Sequence, residues 1–151
     1  MNITGFSFPT AIRFGPGARR EVADAMRARA LQRPLLVTDA GLADLPVLEE
    51  FKALLAGFEL ATFAGVSGNP TGSQVLAAAR VLRDHNADCV IGFGGGAALD
   101  VGKVVGVAAT HEGDILEYAS DHPAARAIER ELPCFIALPT TAGTGSEVGR
   151  S

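Results

Sequence analysis

Four apolar runs place the tightest constraint on what this chain can fold into. They are "PLLVTD" at 34–39, "FELATFAG" at 58–65, "DCVIGF" at 88–93 and "CFIALP" at 134–139. Each reads as a short strand apolar on both faces, and such a strand must be covered on both sides. Helical segments are expected at 18–30, 44–56, 73–85 and 97–109, with Pro46 tolerated in a first turn. Strand and helix therefore alternate four times, which points to an α/β fold with a parallel sheet and helices on both faces. The remaining pieces are connections. "FSFPTAIRF" (6–14) reads as short extended pieces bent at Pro9, "GPG" (15–17) as a turn and "SGNPTG" (67–72) as a loop. A short helix is expected at 113–119 and a polar loop at 122–126.

The totals fit one domain, 1–151, with a real core. Apolar residues make up 48% and charged residues 20%, and the net charge is −4. An acidic chain without a basic face argues against a nucleic-acid partner. Residues 89–109 form an apolar stretch of membrane-spanning length, but Asp100, Lys103 and a glycine triplet interrupt it. A strand, a loop and a helix fit it better than a transmembrane span, so no membrane partner is expected. No secretion signal opens the sequence. Cys89 and Cys134 each adjoin an apolar run and read as buried free thiols of a reduced, cytoplasmic compartment.

In parallel α/β sheets, ligands bind outside the carboxyl ends of the strands. The positions that matter are then Asp39, Asn69, Gly94 to Ala97 and Thr140 to Glu147, which should converge on one edge. Within "VIGFGGGAALDVGK" (90–103), Gly92, Gly94 and Ala97 fit the G-x-G-x-x-G/A pattern between a strand and a helix, the Rossmann-like arrangement. Missing Cβ atoms let a pyrophosphate reach the backbone, and free N–H groups at the helix start point at it. The competing reading is a glycine turn that merely packs a helix tightly on a strand. The acid expected about 20 residues on would fall near Glu112, which follows no strand. A Walker-type phosphate loop fails, because Gly96 to Gly102 is one residue too long and Val104 replaces a hydroxyl. Asp39 ends its strand where a carboxylate can accept from a ribose diol; alternatively it caps a turn. "LPTTAGTGSE" (138–147) offers four hydroxyls and two glycines suited to phosphate and ribose oxygens, or else forms a polar surface loop.

"GGGAALDVGK" together with "PTTAGTGSE" resembles the iron-containing (group III) alcohol dehydrogenases, and "FGPGA", "LLVTDAGL" and "NPT" fall where that family has similar stretches. The resemblance covers essentially the whole chain. Its glycine motif is shared with glycerol dehydrogenase and dehydroquinate synthase relatives, whereas "PTTAGTGSE" is specific. Two departures stand out. Ala97 stands where the family often has Ser, and Gly102 where it usually has Ala, which should loosen the helix slightly.

The resemblance implies a nucleotide-binding α/β domain followed, in the whole family protein, by an all-helical domain. It implies that Asp39 holds the adenosine ribose and that Asn69 lies along the cofactor. Gly94, Gly95, Gly96 and Ala97 would take the pyrophosphate. Thr140, Thr141 and Thr144 would line the pyrophosphate and nicotinamide side, with Asp100 near the nicotinamide. The plainer reading of Asp100 is an i,i+3 surface pair with Lys103. The cofactor implied is NAD, with NADP disfavoured by Asp39, and the substrate class is small alcohols, aldehydes or ketones. Iron is expected only in the full-length enzyme, where an aspartate and three histidines of the helical domain hold it. His85, His111 and His122 do not reproduce that spacing; His85 ends a helix, and the other two read as loop residues. The segment alone is accordingly expected to be inactive, with no catalytic or metal residue of its own and with self-association into a homo-oligomer open to it. The competing functions are a zinc-using glycerol-dehydrogenase or dehydroquinate-synthase relative, and a nucleotide-binding module without chemistry.

Overall fold

The structure is a computed structural model that describes residues 10–149. Four strands, β1 (Pro34–Asp39), β2 (Ala61–Val66), β3 (Cys89–Gly94) and β4 (Cys134–Pro139), form one sheet in the order β2-β1-β3-β4. Every pairing is parallel, with Leu36 opposite Ile91 and Ile91 opposite Ile136. Four helices complete the alternation: α1 (Glu21–Arg27), α2 (Pro46–Leu54), α3 (Gly72–His85) and α4 (Gly96–Thr110).

The pleat of β1 explains why its run has no polar alternation. Leu36 packs with Val22, Met26, Leu48 and Phe51 of α1 and α2, while Leu35 and Val37 pack with Val75, Leu82, Val101 and Val105 of α3 and α4. Ile91 and Val90 divide between the two layers in the same way. Both faces of the central strands are thus core. Phe51 and Phe93 stack with ring centroids 5.1 Å apart and tie α2 to β3. β2 and β4 are the edge strands, and their side chains are mostly half-buried or exposed.

Several boundaries differ from the sequence expectation. The segment expected as one helix at 18–30 is a short 3₁₀ turn, Ala18–Arg20, followed by the two-turn α1. It closes at Ala30, whose φ of 56° is left-handed, with the Leu31 N–H donating to the Met26 carbonyl at 3.1 Å. The second strand begins at Ala61 rather than at 58, because Phe58 still closes the turn after α2 and tucks its ring against the α1/α2 core. α3 begins with a full capping box, Thr71 accepting from the Gln74 N–H while Gln74 accepts from the Thr71 N–H. Ile115–Tyr118 is a short 3₁₀ helix capped by Asp114. The extended pieces expected from Phe6 to Pro9 lie outside the described residues; from Ala11 to Phe14 the backbone has no regular structure.

α2, which follows β1, packs on one face of the sheet, whereas α4, which follows β3, packs on the other. The chain therefore leaves two adjacent strands in opposite directions. In such a topology the ligand crevice is expected at their carboxyl ends, beside Asp39 and Gly94.

Candidate functional site

Gly94 ends β3 with φ 154°, a backbone conformation that side chains rarely adopt. A Cβ there would stand 2.8 Å from the Ala98 Cβ and 3.0 Å from Asp39 Oδ2, so the glycine is what lets the β1 carboxylate approach the turn. Asp39 is half-buried and divides its two oxygens. Oδ1 accepts the Leu42 N–H at 3.0 Å, and Oδ2 faces Gly94. The turn-capping reading and the site reading of Asp39 thus describe different oxygens of one carboxylate.

Gly95 is the N-cap of α4 and has an extended backbone, with no side chain to cap the helix. The backbone N–H groups of Gly95, Gly96 and Ala97 find no acceptor among the described residues. They form a cluster of open donors at the positive end of a 15-residue helix. Ala97, where the family often carries a hydroxyl, adds none.

The loop after β4 folds back onto this turn. The Thr140 N–H donates to the Gly94 carbonyl at 2.9 Å. Thr141 Oγ1 lies 3.5 Å from where a Gly95 Cβ would stand. Thr144 Cγ2 and Ser146 Oγ each lie 3.1 Å from the corresponding point on Gly96. Two loops 46 residues apart, at Gly94 and Thr140, therefore make one surface of bare amides and hydroxyls. Ser146 belongs to this surface too; it lies in the 140–147 stretch and is one of the four hydroxyls counted there, but sequence reading assigned it no role of its own. Its signal was the hydroxyl count of the loop; its position over Gly96 is a tertiary fact.

Two expected residues stand apart. Asn69 is exposed in the loop beyond β2, on the same carboxyl edge, with no contact to the glycine turn recorded among the described residues. Asp100 is half-buried one turn into α4 and does not pair with Lys103. The Lys103 ammonium instead donates to the Gly149 carbonyl. The surface-pair reading of Asp100 and Lys103 is thus replaced by a contact across the fold.

The glycines also set how α4 lies on the sheet. A Cβ at Gly92 would meet Phe135 Cζ at 3.1 Å, and one at Gly102 would meet Phe135 Cε2 at 2.9 Å. Phe135 of β4 fills a notch between the two. Gly102 does not simply loosen α4, as its departure from the family pattern led one to expect, because the space it leaves is taken by an aromatic ring.

Among the described residues no three His, Cys, Asp or Glu side chains stand together as a metal site. The histidines are held by local backbone: His85 Nε2 meets the Glu59 carbonyl, His111 Nε2 accepts the Glu129 and Arg130 N–H groups, and His122 Nδ1 accepts the Ala124 N–H. Cys89 and Cys134 are register partners at the opposite end of β3 and β4, and both are free. Burial, first of all, pushes the Cys89 thiol well up from its ordinary pKa, which makes it an inert core group; Cys134 on the edge strand is only half-buried. No described helix is long and apolar enough to cross a membrane.

Comparison with known proteins agrees with this geometry. The family model for iron-containing alcohol dehydrogenase matches residues 9–151. Choline dehydrogenase of Bacillus subtilis is 39% identical over an alignment of 149 positions that covers 95% of this chain and 36% of that protein. Among solved structures, 1,3-propanediol oxidoreductase superposes with a TM-score of 0.87 at 36% identity, covering 99% of this chain and 38% of its own. Sulfoacetaldehyde reductase from Bifidobacterium kashiwanohense, solved in complex with NAD+, superposes with a TM-score of 0.85 at 31% identity, covering 98% and 39%. The chain thus spans less than two-fifths of the length of these relatives. Over the whole of that span, in sequence and in backbone, the chain belongs to the iron-containing alcohol dehydrogenase family.

Proposed function

We propose that residues 1–151 form the NAD-binding α/β domain of a cytoplasmic alcohol dehydrogenase acting on small alcohols, aldehydes or ketones. The observation that carries this reading is the closure of the Thr140–Ser146 loop over the glycine turn. The Thr140 N–H is bonded to the Gly94 carbonyl, and Thr144 and Ser146 stand against Gly96. Open amides at a helix start with hydroxyls packed beside them suit a pyrophosphate.

On this reading the dinucleotide runs along the carboxyl edge of the sheet. The free Asp39 Oδ2 takes the adenosine ribose, and Gly94 to Ala97 take the pyrophosphate on their amides. Thr140, Thr141 and Thr144 line the path from pyrophosphate to nicotinamide, with Asp100 toward the nicotinamide and Asn69 alongside. Bound NAD supplies the hydride chemistry, and the chain binds and orients it. Iron is a different matter. No grouping of described side chains fits a metal, so any metal that polarises the substrate oxygen is held outside these residues.

Calorimetric titration with NAD tests the reading. Gly95→Val places a branched side chain where the phosphates must approach, near Thr141 Oγ1. The expected outcome is a loss of NAD affinity of at least about a hundredfold, ~2.7 kcal/mol, in a variant whose circular dichroism is unchanged. A folded Gly95→Val chain that keeps its affinity removes the pyrophosphate from this turn.

A further inference from the structure

Lys103 is absent from every set of residues expected at the site, yet its contact reaches the loop that closes it. Gly96, Asp100 and Lys103 fall at i, i+4 and i+7 on α4, which places them along one helix face two turns long. The loop that follows β4 runs over that face. It is fastened at its start by the Thr140 N–H on the Gly94 carbonyl, and nine residues on by the Lys103 ammonium on the Gly149 carbonyl. Between them the loop is braced by its own bonds. The Val148 and Gly149 N–H groups both donate to the Gly145 carbonyl, and the Ser146 N–H donates to Thr144 Oγ1. Thr144 and Ser146, which stand against Gly96, are thus held in a segment fastened to the end of β3 at Thr140 and to α4 at Gly149.

A surface lysine at this spacing ordinarily pairs with the acid three residues away. Here the ammonium passes Asp100 by, pairs with no carboxylate among the described residues, and spends its charge on a main-chain carbonyl. Lys103 is half-buried and borders a cavity of about 270 Å³ between α4 and β4, lined also by Phe135, Pro133 and Gly149. Its ammonium reaches the loop at Gly149. A charge-assisted bond of this kind is roughly twice as strong as a neutral one.

We infer that Lys103 is a positioning residue for the dinucleotide site, a strap from α4 that holds the Thr144–Ser146 hydroxyls over the pyrophosphate turn. It touches no cofactor atom in this role and acts through Gly149. The inference rests on the dinucleotide reading above, and the experiment separates the two.

Lys103→Met keeps the aliphatic stem and removes the donor, whereas Lys103→Arg keeps a cationic donor of similar reach. In the unliganded chain, hydrogen exchange at the Val148 and Gly149 amides should accelerate about tenfold in Lys103→Met and return toward the original rate in Lys103→Arg. By calorimetry, NAD should bind Lys103→Met about tenfold more weakly, ~1.4 kcal/mol, with Lys103→Arg recovering most of the loss. Protection of the α3 and β3 amides should stay as it was, which a general loss of stability would not allow. If Lys103→Met does not fold, Lys103→Gln makes the same comparison. Unchanged loop exchange, or faster exchange with unchanged NAD affinity, overturns the strap while Gly95→Val still abolishes binding. If Gly95→Val also leaves NAD binding intact, the dinucleotide reading itself falls and this inference with it.

Discussion

Asp39 has two carboxylate oxygens, and the turn after β1 uses only one. The Leu42 N–H on Oδ1 fixes the side chain, and fixing it aims Oδ2 across Gly94. A carboxylate held in this way accepts from a ribose diol and repels a 2′-phosphate, although salt screens part of that repulsion near the surface. Asp39→Asn retains an oxygen for Leu42 and loses the charge; Asp39→Gly loses both. Titrations with the two dinucleotides should show the NADP-to-NAD affinity ratio rising about tenfold in both variants, ~1.4 kcal/mol. Only Asp39→Gly should also lose stability, by about 1 kcal/mol for the missing turn bond. A ratio that does not move leaves Asp39 a turn residue. Asp39, Gly94 and the threonines were legible because each directly follows an apolar run, and topology sends such positions to one edge. Lys103 was not, since its spacing from Asp100 points to a local pair and its actual partner is 46 residues away.

α4 carries two demands that pull against each other. Its first turn must expose amides, and its middle must lie close enough to β3 and β4 to seal the core. Glycines at 92 and 102 meet the second demand, and the Phe135 ring occupies the notch they leave. Gly102→Ala should gain about 1 kcal/mol of helix propensity, but its Cβ would press on a ring edge 2.9 Å away. Overpacking of that kind typically costs about 1–3 kcal/mol. Denaturant unfolding of a double-mutant cycle resolves the balance. Gly102→Ala should stabilise a Phe135→Ala background by about 1 kcal/mol, and should give less, or a loss, with Phe135 present. Additive effects would mean that the ring moves aside freely and the notch holds nothing. At this scale the sequence was read correctly in element type and order, because strands buried on both faces have no polar alternation to confuse with an exposed sheet. Boundaries were less legible. Whether Phe58 begins a strand or closes a turn depends on which core it reaches, and Ala30 in the left-handed region gives no local sign where a glycine would have.

The molecule as a whole has one developed edge. Asp39, Gly94 to Ala97 and the 140–146 loop gather at the carboxyl ends of the strands, where open amides, hydroxyls and a carboxylate converge. Hydride transfer needs more than this edge. It needs an electrophile for the substrate oxygen and a wall that keeps water from the nicotinamide. The described residues supply no trio of metal-ligating side chains, and the three histidines are committed to local backbone. Residues 1–151 should therefore bind NAD without turning it over. The check is to assay the purified chain with NAD or NADH, ferrous or zinc ion, and a panel of small alcohols and aldehydes, while following thermal unfolding in the same samples. NAD at a hundred times its dissociation constant should stabilise the fold by about 2.7 kcal/mol, with or without metal. Turnover should stay at background. A metal-dependent rate within the ordinary enzymatic range of roughly 1–10³ s⁻¹ would place a catalytic centre within these residues. The carboxyl edge would then be the first place to look for it, since Asp39 already stands against the glycine turn.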